Sequence, residues 1–360
     1  MKLIVQPGDG VASVLKAIKR AKKKIEIVIF RFDQAEIERA LEDAAERGVF
    51  VHALIAYTNH GGEKNLRKIE TRFLEKGITV ARTADDLVRY HGKMMLIDSQ
   101  ELYLLTYNFT HLDMEKSRSF GIVTRNRDLV KEASKLFECD TKRQTYKSGS
   151  DKFIVSPVNA RTGLAAFIKG AKRELLIYDV DVHDKEMINL LEERRLVGVD
   201  VKIIGHVALS EHLGARISRR LRLHTRVIIR DSKQVFLGSQ SLRKLELDER
   251  REIGIIVNNA KIVNSIAMIF EDDWKASAPA DRRGDKNRVT AAAERASRKV
   301  TKAVSTQLTP APMVQRVLKA IEKEANVEVN RTEAAVLVKA AFKKAVKKAA
   351  ARIVEEAVAE

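Results

Sequence analysis

Cysteine occurs once in the chain, at Cys139. A single thiol allows no internal disulfide and no cysteine-built zinc cluster. Cys139 therefore reads as a small packing residue rather than a nucleophile. Aromatic residues make up only 5% of the sequence. No stretch approaches the ~18–20 apolar residues of a membrane span. The opening "MKLIVQPGDGVASVLKAIKRAKKK" lacks the apolar region of a secretory leader. A soluble, cytoplasmic protein is expected, with any membrane contact peripheral. Clustered Asp and Glu of the kind that hold metal ions are missing too, which agrees with the expectation of no metal and no cofactor.

Positive charge is abundant. The 360 residues carry a formal net charge of +18, which favours polyanionic partners: nucleic acid, anionic lipid or phosphorylated metabolites. The length suits two domains, or one large domain with an extension.

The chain compares well with itself. "IEIVIFRFD" (25–33) reads as a buried strand, and "QAEIERALEDAAERG" as a helix with Ile37, Ala40, Leu41 and Ala44 on one face. "VFVHALIAY" reads as a second strand. The later segments "RELLIYDVDV" (173–182), "DKEMINLLEERRLVG" and "VDVKIIGHV" repeat that order. The two sets also end alike, with Phe-Glu-x-Asp closing an amphipathic helix. A period near 130 residues is a duplicated domain, not a solenoid unit. The expected domains are 1–147 and 152–279. A basic, Ala/Lys-rich helical extension, 280–360, follows.

In the last part of that extension Ala335, Val338, Phe342, Val346 and Ile353 share one stripe, apart from Lys339, Lys343, Lys344, Lys347 and Lys348. Such a helix is expected to dock or to self-associate, and it also suits anionic lipid or nucleic acid.

Each half contains His-x-basic-x4-Asp: "HGKMMLID" with His91, Lys93 and Asp98, and "HTRVIIRD" with His224, Arg226 and Asp231. If His91 and Lys93 lie on a strand, they share a face. Ten residues past each aspartate stand Asn108, in "LTYN", and Ser241, in "GSQS". An imidazole, a cation and a hydrogen-bond donor together suit a tetrahedral phosphate: histidine for nucleophilic or acid–base work, the others for the non-bridging oxygens. Lys93, Asn108, Arg226 and Ser241, with Thr106 and Ser239 of the same tetrapeptides, are the candidate phosphate-binding residues. His52, His60, His111, His183, His206 and His212 have no such spacing. "NHGGEKN" (59–65) is glycine-rich but lacks P-loop context. "SEHLGARISRRLRLH" (210–224) is either a basic substrate rim or a solvated helix face.

The doubled motif resembles the signature of the phospholipase D superfamily, and its variant is similar to the bacterial cardiolipin-synthase-like branch. "IERALEDAAERGVFVHALI", "RYHGKMMLID", "GSQSLRKLELDERREIGIIV" and "FEDDW" add to the likeness, which covers about residues 1–279. It implies an α/β fold of two repeats, each a mainly parallel sheet flanked by helices, with His91 and His224 meeting at the seam. It also implies metal-independent phosphodiester cleavage or phosphatidyl transfer through a phosphohistidine. One histidine would be the nucleophile and the other the general acid and base. Which is which stays open. Phospholipid headgroups are the implied substrate class. A nuclease of the same superfamily is the alternative that the charge favours.

Asp98 and Asp231 are structural by the same resemblance. The sequence departs from the family pattern at Arg226, which replaces a lysine, and at Ser241, which replaces an asparagine. Glu252, eleven residues past Ser241, stands where the family carries a carboxylate that orients a histidine. Its counterpart eleven residues past Asn108 is Ser119, without charge. A weakened or purely phosphodiester-binding module, directed to nucleic acid or anionic membrane, is the reading these departures favour.

Overall fold

The structure is a computed structural model, and it describes residues 1–57, 63–208, 210, 212–280, 336 and 340. The chain divides into Met1–Ala280 and Asp281–Glu360. The apolar stripe expected at 335–353 lies outside the described residues, as do His60 and most of the 59–65 loop.

The first repeat opens with β1 (Lys2–Gln6), α1 (Ala12–Arg20), β2 (Lys24–Ile29), α2 (Ala35–Glu46), β3 (Phe50–Ile55), α3 (Glu63–Glu75) and β4 (Thr79–Arg82). It continues with β5 (Arg89–Tyr90), β6 (Met94–Ile97), β7 (Glu101–Leu105), α4 (His111–Glu115), β8 (Ser117–Thr124) and α5 (Arg127–Lys142). The second opens with β9 (Phe153–Val155), α6 (Ala160–Lys169), β10 (Glu174–Val182), α7 (Lys185–Leu196), β11 (Asp200–Val207) and β12 (Ala215–Ile217). It closes with β13 (Arg222–Leu223), β14 (Arg226–Arg230), β15 (Gln234–Gly238), α8 (Lys244–Asp248), β16 (Arg250–Arg251), β17 (Ile253–Val257), α9 (Ala260–Ala276) and β18 (Ala278–Pro279).

The expected α/β architecture of two helix-flanked sheets is present. The sheets run β1-β8-β7-β6-β2-β3-β4 and β18-β12-β11-β10-β14-β15-β17-β9. Parallel pairing occupies β2-β3-β4 and β10-β11-β12, where helical crossovers demand it. The hairpins that carry the motifs, β6-β7 and β14-β15, are antiparallel. The segment 210–224 forms no helix among its described residues; it contributes the short strands β12 and β13.

Periodicity explains the layers. Ile37, Ala40, Leu41 and Ala44 of α2 recur at helical spacing, and all four are buried on the first sheet. The inner faces of both sheets meet in one shared core. Leu102, Leu104, Phe120 and Ile122 of the first pack with Val227, Ile229, Leu237 and Ile255 of the second, under α5 and α9. Each such side chain contributes about 1.5–3 kcal/mol on burial. The halves thus share one core within a single compact unit, Met1–Ala280.

Two strands cross the seam. β5 pairs in parallel with β16 of the second repeat, and β13 pairs in parallel with β8 of the first. These exchanges lie immediately before each histidine. They set the histidine of one half beside the carboxylates of the other.

Candidate active site

His91 and Lys93 sit in the extended link between β5 and β6, not within a strand. The His91 N–H donates to Arg251 O, 2.7 Å, across the seam. Gly92 between them is forced: a Cβ there would overlap the Ile253 side chain of the other repeat. His224 occupies the matching link between β13 and β14, and Arg226 begins β14. Both histidines are buried, at 7% and 8% exposure, so neither is a surface residue.

Asp98 and Asp231 are at the far ends of β6 and β14, each followed by a serine, all four at positive φ. Asp tolerates this left-handed conformation in tight hairpin turns. Each carboxylate accepts backbone N–H groups, from Lys22, Lys23 and Lys24 or from Lys172, Arg173 and Glu174. Burial works against the Asp98 charge, but the three donors outweigh it and hold the carboxyl below its usual range. These aspartates fix the hairpins.

The His91 Nδ1 lies 2.8 Å from Glu252 Oε2. Glu252 therefore serves the histidine of the opposite half, not that of its own. Lys93 Nζ is 2.8 Å from His91 Nε2 and 2.7 Å from His91 O. Burial, then Lys93 and Arg226, drive the His91 pKa well below that of free imidazole. A neutral ring with its proton on Nδ1, held by Glu252, leaves the Nε2 lone pair available. Burial also pushes Lys93 down to about 7, against the pull of Glu252, and raises Glu252 against Lys93, Ser239 and Arg226.

His224 has no equivalent of Glu252. Ser119 is buried at the corresponding position, and its hydroxyl has no hydrogen-bond partner. Asp113 approaches instead: its Oδ2 is 3.5 Å from His224 Nδ1. That nitrogen makes no hydrogen bond, so the contact is electrostatic. Asp113 also accepts from Asn108 N (2.9 Å), Asn108 Nδ2 (2.6 Å) and Arg222 Nη1 (2.7 Å). Burial opposes the Asp113 charge; His224, Asn108 and Arg222 together outweigh it and hold its pKa down. Burial drives His224 well below the free value against Asp113, with Arg226 and Lys93 adding to burial. Glu246 lies 3.6 Å from Arg226 and accepts from Arg250, whose neighbour-but-one Glu252 holds His91, so the second cation and the first histidine share one group of charges.

Arg226 is accommodated by the residue that seemed a separate loss. Its Nε donates to Ser241 Oγ at 2.9 Å, and its Nη2 is 3.6 Å from Glu246 Oε2. A serine leaves room where an asparagine would stand, so the longer cation and the shorter partner compensate. Asp179 is buried nearby and pushed up to about 6 by that burial, against the pull of Arg226.

Thr106 and Ser239 bond the neighbouring backbone. Thr106 Oγ1 accepts from Phe120 N and donates to Phe120 O, each 3.0 Å. Ser239 Oγ accepts from Ile253 N at 3.1 Å and donates to Ile253 O at 3.4 Å. The Thr106 hydroxyl is spent on the neighbouring strand where β7 ends, whereas the Ser239 hydroxyl, at the end of β15, also favours the Glu252 charge. Asn108 likewise gives a donor to Asp113. His111, for which no partner spacing is evident, pairs with Glu115 at 2.7 Å.

Asp113 and Glu246 were missed by sequence reasoning. Each stands five residues past Asn108 or Ser241 and accepts that residue's N–H, a repeated offset that could have flagged them. Phe30, edge-on to His91 at 4.6 Å between ring centroids, carried no sequence signal. Among the described residues no group of three or more His, Cys, Asp or Glu is placed to hold a metal.

A doubled His-basic site at the seam of two α/β repeats defines the phospholipase D superfamily. Within it, the chain belongs to the family described as cardiolipin synthase, PLD-like domain, whose model matches residues 14–141 and 164–274. Among solved structures, a polyphosphate kinase from Porphyromonas gingivalis shares 20% identity at a TM-score of 0.65, over 76% of this chain and 50% of that one. The chain thus spans about half the length of that protein. A phosphatidylserine synthase from Haemophilus influenzae shares 10% identity at a TM-score of 0.59, over 78% of this chain and 87% of that one. At these identities both show the fold. No curated protein matches the chain. No helix among the described residues is long and apolar enough to cross a membrane.

Proposed function

We propose that the chain cleaves or transfers phosphodiesters through a phosphohistidine on His91. The observation that carries this reading is the asymmetric pairing of the histidines. His91 is neutral, with Nδ1 held by Glu252, whereas His224 faces only the Asp113 charge. In the first step His91 Nε2 attacks phosphorus: the N–P bond forms and the P–O bond to the leaving alcohol breaks. Lys93 leaves Nε2 for a non-bridging oxygen, joined by Arg226, and so stabilises the transition-state charge. An arriving phosphodiester anion raises the depressed pKa of His224. The imidazolium, countered by Asp113, then protonates the leaving oxygen. In the second step His224 takes a proton from water or an acceptor alcohol. That oxygen attacks phosphorus, the N–P bond breaks, and His91 is regenerated.

Phospholipid headgroups are the substrate class supported by the family match. A nuclease is the second reading, supported by the net charge of +18. Peripheral contact with anionic membranes and self-association through the C-terminal segment complete the proposal. The test is turnover of bis(p-nitrophenyl) phosphate, phosphatidylglycerol, cardiolipin and single- and double-stranded DNA, with chelator present. Chelator-resistant turnover that is lost in both His91→Ala and His224→Ala is expected. Turnover that needs an added divalent metal, or survives either substitution, overturns the proposal.

A further inference from the structure

We propose that Arg31 and Arg89, set about the Phe30 ring beside His91, form a second anion subsite for a phosphoryl group adjoining the scissile phosphodiester. This rests on the phosphodiester reading of the site and narrows its substrate class. Three cations surround the ring: Arg31 Cζ at 5.7 Å, Arg89 Cζ at 5.3 Å and Lys93 Nζ at 5.6 Å from its centroid. Lys93 belongs to the catalytic site. The two arginines lie outward of it, Arg89 half-buried and Arg31 exposed.

Neither guanidinium group makes a hydrogen bond or ion pair with a described residue. The nearby carboxylates bond other groups, although Glu252 Oε1, 4.0 Å from Arg250 Nη1, makes no hydrogen bond. Glu252 holds His91, Glu246 takes Ser241 N and Arg250 Nη1, and Asp113 takes Asn108 and Arg222. The strand exchange makes the crowding worse. Arg89 of β5 stands in register with Arg250 of β16, and like charges facing each other across strands repel. Consistent with this, burial and then Arg250 lower the Arg89 pKa, Arg31 lowers it further, and Glu252 and Glu246 only partly offset them. Guanidinium groups left unpaired among the described residues, next to a phosphate-handling lysine, are suited to neutralisation by a ligand. One diester charge answers Lys93 and Arg226; Arg31 and Arg89 call for another. Guanidinium suits that task, since it donates to phosphate oxygens in a bidentate fork.

The test is competitive inhibition and calorimetric binding of inorganic phosphate and pyrophosphate to the full chain. The wild type is compared with Arg31→Ser, Arg89→Ser and the double variant. Pyrophosphate should bind at least about tenfold more tightly than phosphate, the scale of one charge-assisted hydrogen bond. The double variant should lose that preference and keep its affinity for phosphate. A second arm compares a dinucleoside monophosphate with its terminally phosphorylated form, and phosphatidylglycerol with phosphatidylglycerol phosphate. The pair whose preference collapses in the double variant identifies the source. Pyrophosphate binding no tighter than phosphate, or a preference that survives in the double variant, overturns the subsite. Absence of a phosphoenzyme, with the pyrophosphate preference intact, instead faults the catalytic reading.

Discussion

Lys93 and Arg226 occupy equivalent positions yet are held differently. Lys93 rests on His91 and Arg226 on Ser241. If length and partner compensate, Arg226→Lys and Ser241→Asn should each lower kcat/KM, while the pair together restores most of it. A double-mutant cycle should give a coupling of ~0.5–3 kcal/mol; additive losses would mean the two residues act separately. Lys93 also sets a pH dependence. Its folded pKa of about 7 lies below the ordinary 10.5, so the free protein loses this charge as pH rises through 7. kcat/KM should fall above that point, and kcat should fall only at higher pH, because a bound phosphate anion favours the ammonium. The unfolded chain holds this proton up to about 10.5, so the cost of burying Lys93 fades as pH climbs from 7 to that value, and stability rises with it. A profile flat from pH 6 to 9 would contradict this. The histidines and their basic partners are legible in the sequence from repeated spacing, and Glu252 from the family resemblance. Thr106 shares that spacing and still spends its hydroxyl on Phe120, because spacing does not reveal which side-chain bonds the sheet itself consumes.

The short elements decide which half serves which histidine. β5 and β13 have two residues each, too few to show any periodicity, and their exchange across the seam leaves no mark in a linear sequence. The long elements are legible because period 3.6 in α2 and the short, β-branched, largely apolar runs of β2 and β3 are strong signals. Gly92 is the point where exchange and site depend on each other. Gly92→Ala should push Ile253 away, costing ~1–3 kcal/mol as other overpacked cores do. It should also lower kcat far more than it raises KM, because the His91–Glu252 bond spans the same contact. Urea unfolding and steady-state kinetics check both effects; an alanine variant with unchanged stability and kcat would show that the packing does not matter.

At the scale of the whole molecule, the duplication explains both the shared core and the single site. One set of strands and helices, used twice, presents two histidines to one seam. The compositional break near Asp281 is visible in the sequence and coincides with the division of the chain after Ala280. Residues 1–280 should therefore fold and retain catalysis alone. Deleting 281–360 should abolish self-association in light scattering and weaken sedimentation with anionic vesicles. Unchanged behaviour in both would leave the lysine-rich stripe without these roles.

The central claim is that His91 carries the phosphoryl group and His224 releases it. With bis(p-nitrophenyl) phosphate the leaving group needs no acid, so His224→Ala should still complete the first step and stall at the second. Rapid mixing of that variant should release about one p-nitrophenolate per chain, and mass spectrometry of the quenched protein should place the p-nitrophenylphosphoryl adduct on His91. A variant that gives no burst, or an adduct that maps to any other residue, would contradict the claim.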